Sequence, residues 1–246
     1  TVTDAGFSLV MQQIPSCADE VQRAAVMERE KRLRGIIFLG GRFDYTPGDL
    51  AMLNVPFVCC SYSNQYGTLR VGEYSAVSIA DEETARQAVD HLYDHGHRRI
   101  AALICREDDQ SISQLRYQGY RKALESHGIP LDEDLVMCTG TFDIRDAYEA
   151  VSRRLRQGAD FTALFAIADS MAIGAMRALR DAGRRVPEDC SVIAIDGLEL
   201  SAYIEPPLTT LCQPMEEMGR RSAQILLGML RGHGSHCLLY TSPSPR

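Results

Sequence analysis

The chain has 246 residues, 45% hydrophobic and 24% charged, the proportions of a soluble globular protein able to bury a large core in one or two domains. Its net charge of −7 argues against nucleic-acid binding by this polypeptide on its own, and no apolar run reaches the length of a membrane span. Eight cysteines without a CxxC read as buried reduced thiols rather than a disulfide framework.

In chain order, Phe7 to Ile14 is apolar enough for a strand, and Ala18 to Leu33 is an amphipathic helix carrying Val21, Ala24, Ala25 and Val26. Gly35 to Gly41 is a buried strand that breaks on two glycines. Thr46 with Pro47 at the first helical position opens a short helix, and Pro56 to Cys60 is the next strand. Ser61 to Gly72 is a polar loop, and Ser75 to Ile79 is extended again. Asp81 is the expected cap of a helix with the stripe Ala85, Ala88, Val89, Leu92 and Tyr93, stopped by Gly96. Arg99 to Cys105 is a strand, Ser113 to His127 a helix, Leu135 to Thr139 a strand, and Asp143 to Gln157 a helix.

The stretch Thr162 to Asp196 is one βαβ unit: an apolar run from Ala163 to Ala168, a helix from Asp169 to Ala182, and a second apolar run ending on Asp196-Gly197. Asp169 stands where a helix cap belongs. Pro206 to Leu211 is extended, and Met215 to Leu230 is the last helix. From His233 onward neither period nor cap is visible, and Pro243 and Pro245 argue against sheet pairing. Alternating strands and helices give an α/β fold with mostly parallel, doubly wound sheets.

Ligands of such sheets bind outside the carboxyl ends of the strands. Asp169 and Asp196 then face one crevice, unless they only cap and turn. Arg116 follows the strand Ile100 to Cys105 and reaches the same ends, unless it pairs with a neighbouring carboxylate such as Asp109. A guanidinium fork opposite two carboxylates can saturate the vicinal hydroxyls of a sugar or the edge of a base. Enzymatic signatures are missing: there is no GxGxxG, GxxxxGK[ST], GxSxG or HExxH. His91 and His95 lie four apart, but Leu92 stands where a metalloprotease places Glu. His233, His236 and Cys237 form a looser cluster. No metal, cofactor or catalytic residue is expected.

The segments HLYDHGHRRIAAL at 91–103, RYQGYRKALESHGI at 116–129, Thr162 to Asp196 and PPLTTLCQPMEEMGRRSAQILLGML at 206–230, with GIIFLGG at 35–41, together resemble the effector-binding core of LacI/GalR-type bacterial transcription regulators. The resemblance runs from Phe7 to Gly232. It implies a periplasmic-binding-protein-like type I fold of two subdomains around a ligand cleft. By position it divides the chain into 1–105 plus 212–232, then 106–211, with 233–246 as a tail. It maps the effector contacts onto Arg116, Asp169 and Asp196, an aromatic lining onto Phe142, and a second border onto Ser61 and Tyr62. Ala168 stands where the family usually carries a polar residue, and Ser61-Tyr62 where it carries Asp-Arg.

The resemblance implies a cytoplasmic, homodimeric, non-enzymatic regulator. It would respond to a sugar or similar small molecule and touch DNA only through a headpiece outside this sequence, with no membrane partner. The chain is accordingly expected to be a fragment of a longer gene. A solute-binding protein of an uptake system and a doubly wound enzyme are the competing readings.

Overall fold

The computed structural model describes residues 2–14, 19–70, 72–106, 110–232, 237–241 and 244–245. Helix α1, Glu20–Lys31, begins where the Asp19 side chain accepts from the Gln22 amide, and it buries Val21, Ala24 and Ala25. Strand β1, Ile36–Leu39, follows. Thr46 and Asp49 cap each other's backbone around Pro47 to start α2, Pro47–Leu50. Next come β2, Phe57–Cys60, and β3, Ala76–Ile79.

The second run of elements is α3, Asp81–Asp94; β4, Ile100–Ile104; α4, Ile112–Ser126; β5, Val136–Cys138; and α5, Ile144–Arg156. It continues with β6, Ala163–Ala166; α6, Asp169–Asp181; β7, Ser191–Asp196; and β8, Thr209–Cys212. Helix α7, Met215–Leu230, and the short strands β9, Leu238–Thr241, and β10, Ser244–Pro245, complete it.

Two sheets result, one ordered β1-β2-β3-β9 and one ordered β10-β8-β7-β6-β4-β5. All pairings are parallel except β10 with β8. Strands β3, β4 and β6 are buried at every position, as parallel strands covered on both faces must be. Among the described residues no helix is long and apolar enough to cross a membrane.

The chain divides into two compact units, Thr1–Ile79 with Pro214–Thr241, and Ala80–Gln213 with Ser242–Arg246. In the first, α7 covers β1, β2 and β3, and Leu226 seats on Gly35. In the second, α3 packs on α4 and α5 on α6. The expected boundary at 105 thus moves to 79. Strand β4 hydrogen-bonds β5 and β6, so it and the α3 that leads into it belong with them.

Several expectations are corrected. Phe7 to Ile14 forms no strand, and Leu9, Val10 and Met11 are exposed, because an extended apolar run becomes a strand only where a sheet edge accepts it. The tail is not idle: Leu238–Thr241 adds to β3, and Pro245 sits in a two-residue edge pairing, the place in a sheet that tolerates proline. Asp81 and Asp169 are each the first residue of their helix, not its cap, and neither helix has a side-chain cap. The expected helix start at Ala18, the carboxylate Asp109, the histidines His233 and His236, and Pro243 lie outside the described residues.

Candidate functional site

The second sheet sets the site. From β4 the chain winds through α4 outward to β5, returns through α5 to β6 on the other side of β4, and continues to β7 and β8. The winding therefore reverses between β4 and β6, and in such sheets the crevice lies at the carboxyl ends there.

The start of α4 is locked to the end of β4. Ser113 Oγ accepts from the amides of Cys105 and Arg106 and donates to the Arg106 carbonyl. One turn on, Arg116 is only 1% exposed. Its Nε donates to Asp81 Oδ1 at 2.9 Å, and its Nη1 to the Ile167 carbonyl at 2.5 Å and to Asp196 Oδ1 at 3.2 Å. Its Nη2 is buried without a partner, and so is Asp81 Oδ2. Burial works against the guanidinium charge, but Asp81 and Asp196 more than offset it, holding Arg116 above its ordinary value. Burial likewise pushes the Asp81 carboxyl up, with Arg116 pulling against it.

Asp196 ends β7 with φ +139°, a conformation unfavourable for any side chain. Gln213 holds it there: its amide donates to the Asp196 carbonyl at 3.0 Å and its Nε2 to Oδ1 at 2.7 Å. Gly197 follows at φ +75°, where a Cβ would lie 2.4 Å from Cys212 Sγ, so only glycine fits this turn. Oδ2 of Asp196 takes no hydrogen bond among the described residues, and 22% of the side chain is exposed.

Asp169 is used differently. It is fully buried, and its carboxylate accepts from the Leu198 amide at 2.8 Å, Ser201 Oγ at 2.7 Å and Thr210 Oγ1 at 2.5 Å. Burial pushes its carboxyl up, and these three bonds partly restrain it. Ser170 donates to the Phe142 carbonyl at 2.7 Å, tying the Phe142 loop to the first turn of α6 with the ring 38% exposed. Arg116 and Asp196 thus meet at the reversal point, the Phe142 loop is tied to the start of α6, and Asp169 is an anchor whose oxygens are already engaged.

Ser61 and Tyr62 belong to the first unit. Tyr62 is a core residue, 1% exposed, stacked on Tyr45 and edge-on to Phe43 and Tyr74, with its hydroxyl on Asn64. Ser61 is half-buried at φ +57°. Among the described residues no group of His, Cys, Asp and Glu is placed to hold a metal. His95 Nδ1 meets the His91 carbonyl, and His97 bridges Thr162 and Ser191 across the starts of β6 and β7.

Residues 89–245 match the periplasmic binding protein-like domain family. The HTH-type transcriptional regulator MalR of Clostridium butyricum is 32% identical to this chain over 98% of it and 72% of its own length. The chain belongs to the LacI/GalR-type regulators. CelR of Thermobifida fusca, another HTH-type transcriptional regulator, is 37% identical over 94% of this chain and 66% of its own. Among solved structures, a transcriptional regulator CelR–cellobiose complex matches with a TM-score of 0.80 and 31% identity, over 92% of this chain and 68% of that one. A LacI-family regulatory protein from Chloroflexus aggregans matches with a TM-score of 0.76 and 27% identity, over 92% and 79%. The chain spans about two thirds to three quarters of the length of these curated relatives.

The LacI-type chain is an effector-binding core and not an enzyme. Two residues bonded to the Arg116–Asp196 pair, Asp81 and Gln213, carry no signal of that role in the sequence. Asp81 carries the signature of a helix start, and Gln213 closes a strand with no marked chemistry. Only the partner contacts, 35 residues away for Asp81 and 17 for Gln213, reveal them.

Proposed function

We propose that this core senses a neutral, hydroxyl-rich small molecule such as a sugar at the carboxyl ends of β4, β6 and β7, within a dimeric cytoplasmic regulator that acts on DNA. The observation that carries this reading is the Arg116–Asp196 pair, with Nη2 as a donor lacking an acceptor and Oδ2 as an open acceptor. One hydroxyl of a vicinal pair accepts from Nη2, and its neighbour donates to Oδ2. A buried donor left unmade costs about 1–3 kcal/mol, which a ligand hydroxyl recovers. Phe142 offers an apolar ring face. Asp169 supports the reading as the anchor that holds the β6 and β7 ends together, not as a contact.

An anionic effector fits less well, since Asp81 and Asp196 already pair with the single arginine. The cellobiose complex of a structural neighbour supports a saccharide. Effector binding shifts the population of two states of the core, and the DNA-binding part of the whole regulator responds. Calorimetry with a panel of neutral mono- and disaccharides, cellobiose included, tests the site. Asp196→Asn and Arg116→Ala should each weaken binding tenfold or more, as loss of a charge-assisted hydrogen bond worth roughly 1.5–3 kcal/mol requires. Binding unchanged in both would remove these residues from the site.

A further inference from the structure

Ile79–Ala80 and Gln213–Pro214 are two of the places where the chain passes between its two units. Within two residues of each of these two crossings stands a side chain that grips the Arg116–Asp196 pair. Asp81 takes Nε of Arg116, and Gln213 takes both the backbone and the carboxylate of Asp196. Neither is explained by its local element. Asp81 does not cap α3, is 3% exposed, and buries a carboxylate oxygen with no partner, an arrangement that local stability alone would not favour. Gln213 holds Asp196 in a backbone conformation that Asp would otherwise avoid.

Together these bonds decide what remains for a ligand. Nε and Nη1 of Arg116 are engaged by Asp81, Ile167 and Asp196, which fixes the plane of the guanidinium and leaves Nη2. Oδ1 of Asp196 is engaged by Arg116 and Gln213, which leaves Oδ2. We infer that Asp81 and Gln213 are positioning residues that preset Nη2 of Arg116 and Oδ2 of Asp196 as one donor–acceptor pair, and that through them this pair is coupled to the crossings at Ile79–Ala80 and Gln213–Pro214. The inference rests on the reading of Arg116 and Asp196 as the ligand's contacts, but the bonded chain Asp81–Arg116–Asp196–Gln213 can be tested without any ligand.

In the ligand-free chain, the Arg116 Nε–H should give a slowly exchanging side-chain resonance, assigned by its loss in Arg116→Lys. Asp81→Asn keeps an acceptor oxygen and should retain that resonance, while Asp81→Leu should speed its exchange tenfold or more. Asp196→Ala should quicken amide exchange not only at Gln213 but also across Asp81–Thr84, beside the Ile79–Ala80 crossing. With cellobiose as the probe, Gln213→Ala and Asp81→Leu should each weaken binding about tenfold, with Asp81→Asn restoring most of it. Unchanged Nε–H exchange in Asp81→Leu, or an Asp196→Ala effect confined to Gln213, overturns the inference. If cellobiose does not bind the wild type, the saccharide reading is what has failed, and the exchange measurements still decide this one. If Asp81→Leu does not fold, Asp196→Ala decides it alone.

Discussion

Asp169 and Asp196 bring the same group to the ends of adjacent strands, and their neighbours give them opposite uses. Three donors saturate Asp169, so its loss should register first in stability. Asp169→Ala should cost on the order of 3 kcal/mol by leaving buried donors unmade, read as a fall in denaturation midpoint. A variant as stable as wild type would show that the anchor is dispensable. At the surface, Asp189 accepts from the backbone and side chain of Arg185, which lowers its carboxyl from 3.8 to about 2. A lowered carboxyl contributes stability above its unfolded value that is lost as pH falls from 3.8 through about 2. A carbon-detected titration should find the midpoint there, and Arg185→Ala should return it toward 3.8. The placement of both aspartates near strand ends was legible because an acidic residue closing an apolar run is a local signal. Their division of labour was not, since the donors that occupy Asp169 lie 29 to 41 residues further on.

Helix pairs explain two of the glycines that make the family motifs recognisable. On α4, a Cβ at Gly119 would come within 2.1 Å of the Glu82 carbonyl of α3; on α6, one at Gly174 would meet the Ile144 carbonyl of α5 at 2.2 Å. In an open helix Ala is better than Gly by about 1 kcal/mol. Here overpacking reverses the sign, and Gly119→Ala or Gly174→Ala should destabilise by ~1–3 kcal/mol in chemical denaturation. Stabilisation by either would mean that the helices are not in close contact. The alternation of strands and helices was readable from periodicity and punctuation alone, from α1 to α7. The termini were not. Phe7 to Ile14 has an apolar run but no partner edge, while Leu238–Thr241 has no period yet finds β3. Deleting 238–246 should therefore lower the melting temperature by stripping β9 from the sheet.

Charge is divided unevenly over the whole molecule. The first unit holds ten acidic and ten basic residues, so the net −7 belongs entirely to the second, which carries Arg116 and Asp196. That field opposes anions at long range and leaves neutral ligands indifferent. Affinity for a neutral saccharide should accordingly change little between low and high salt, and a strong salt dependence in calorimetry would point to a charged effector. The overall charge was visible from composition, but its asymmetry needed the boundary at 79. The same division bears on how the protein is made. The second unit is one nearly continuous stretch of chain, whereas the first is interrupted by it: β1, β2 and β3 leave the ribosome about 130 residues before the α7 that covers them. At typical elongation rates that is a wait on the order of ten seconds. During this interval the earliest sheet stands bare on the face that α7 will cover, and the later-born half of the protein is the first able to finish folding.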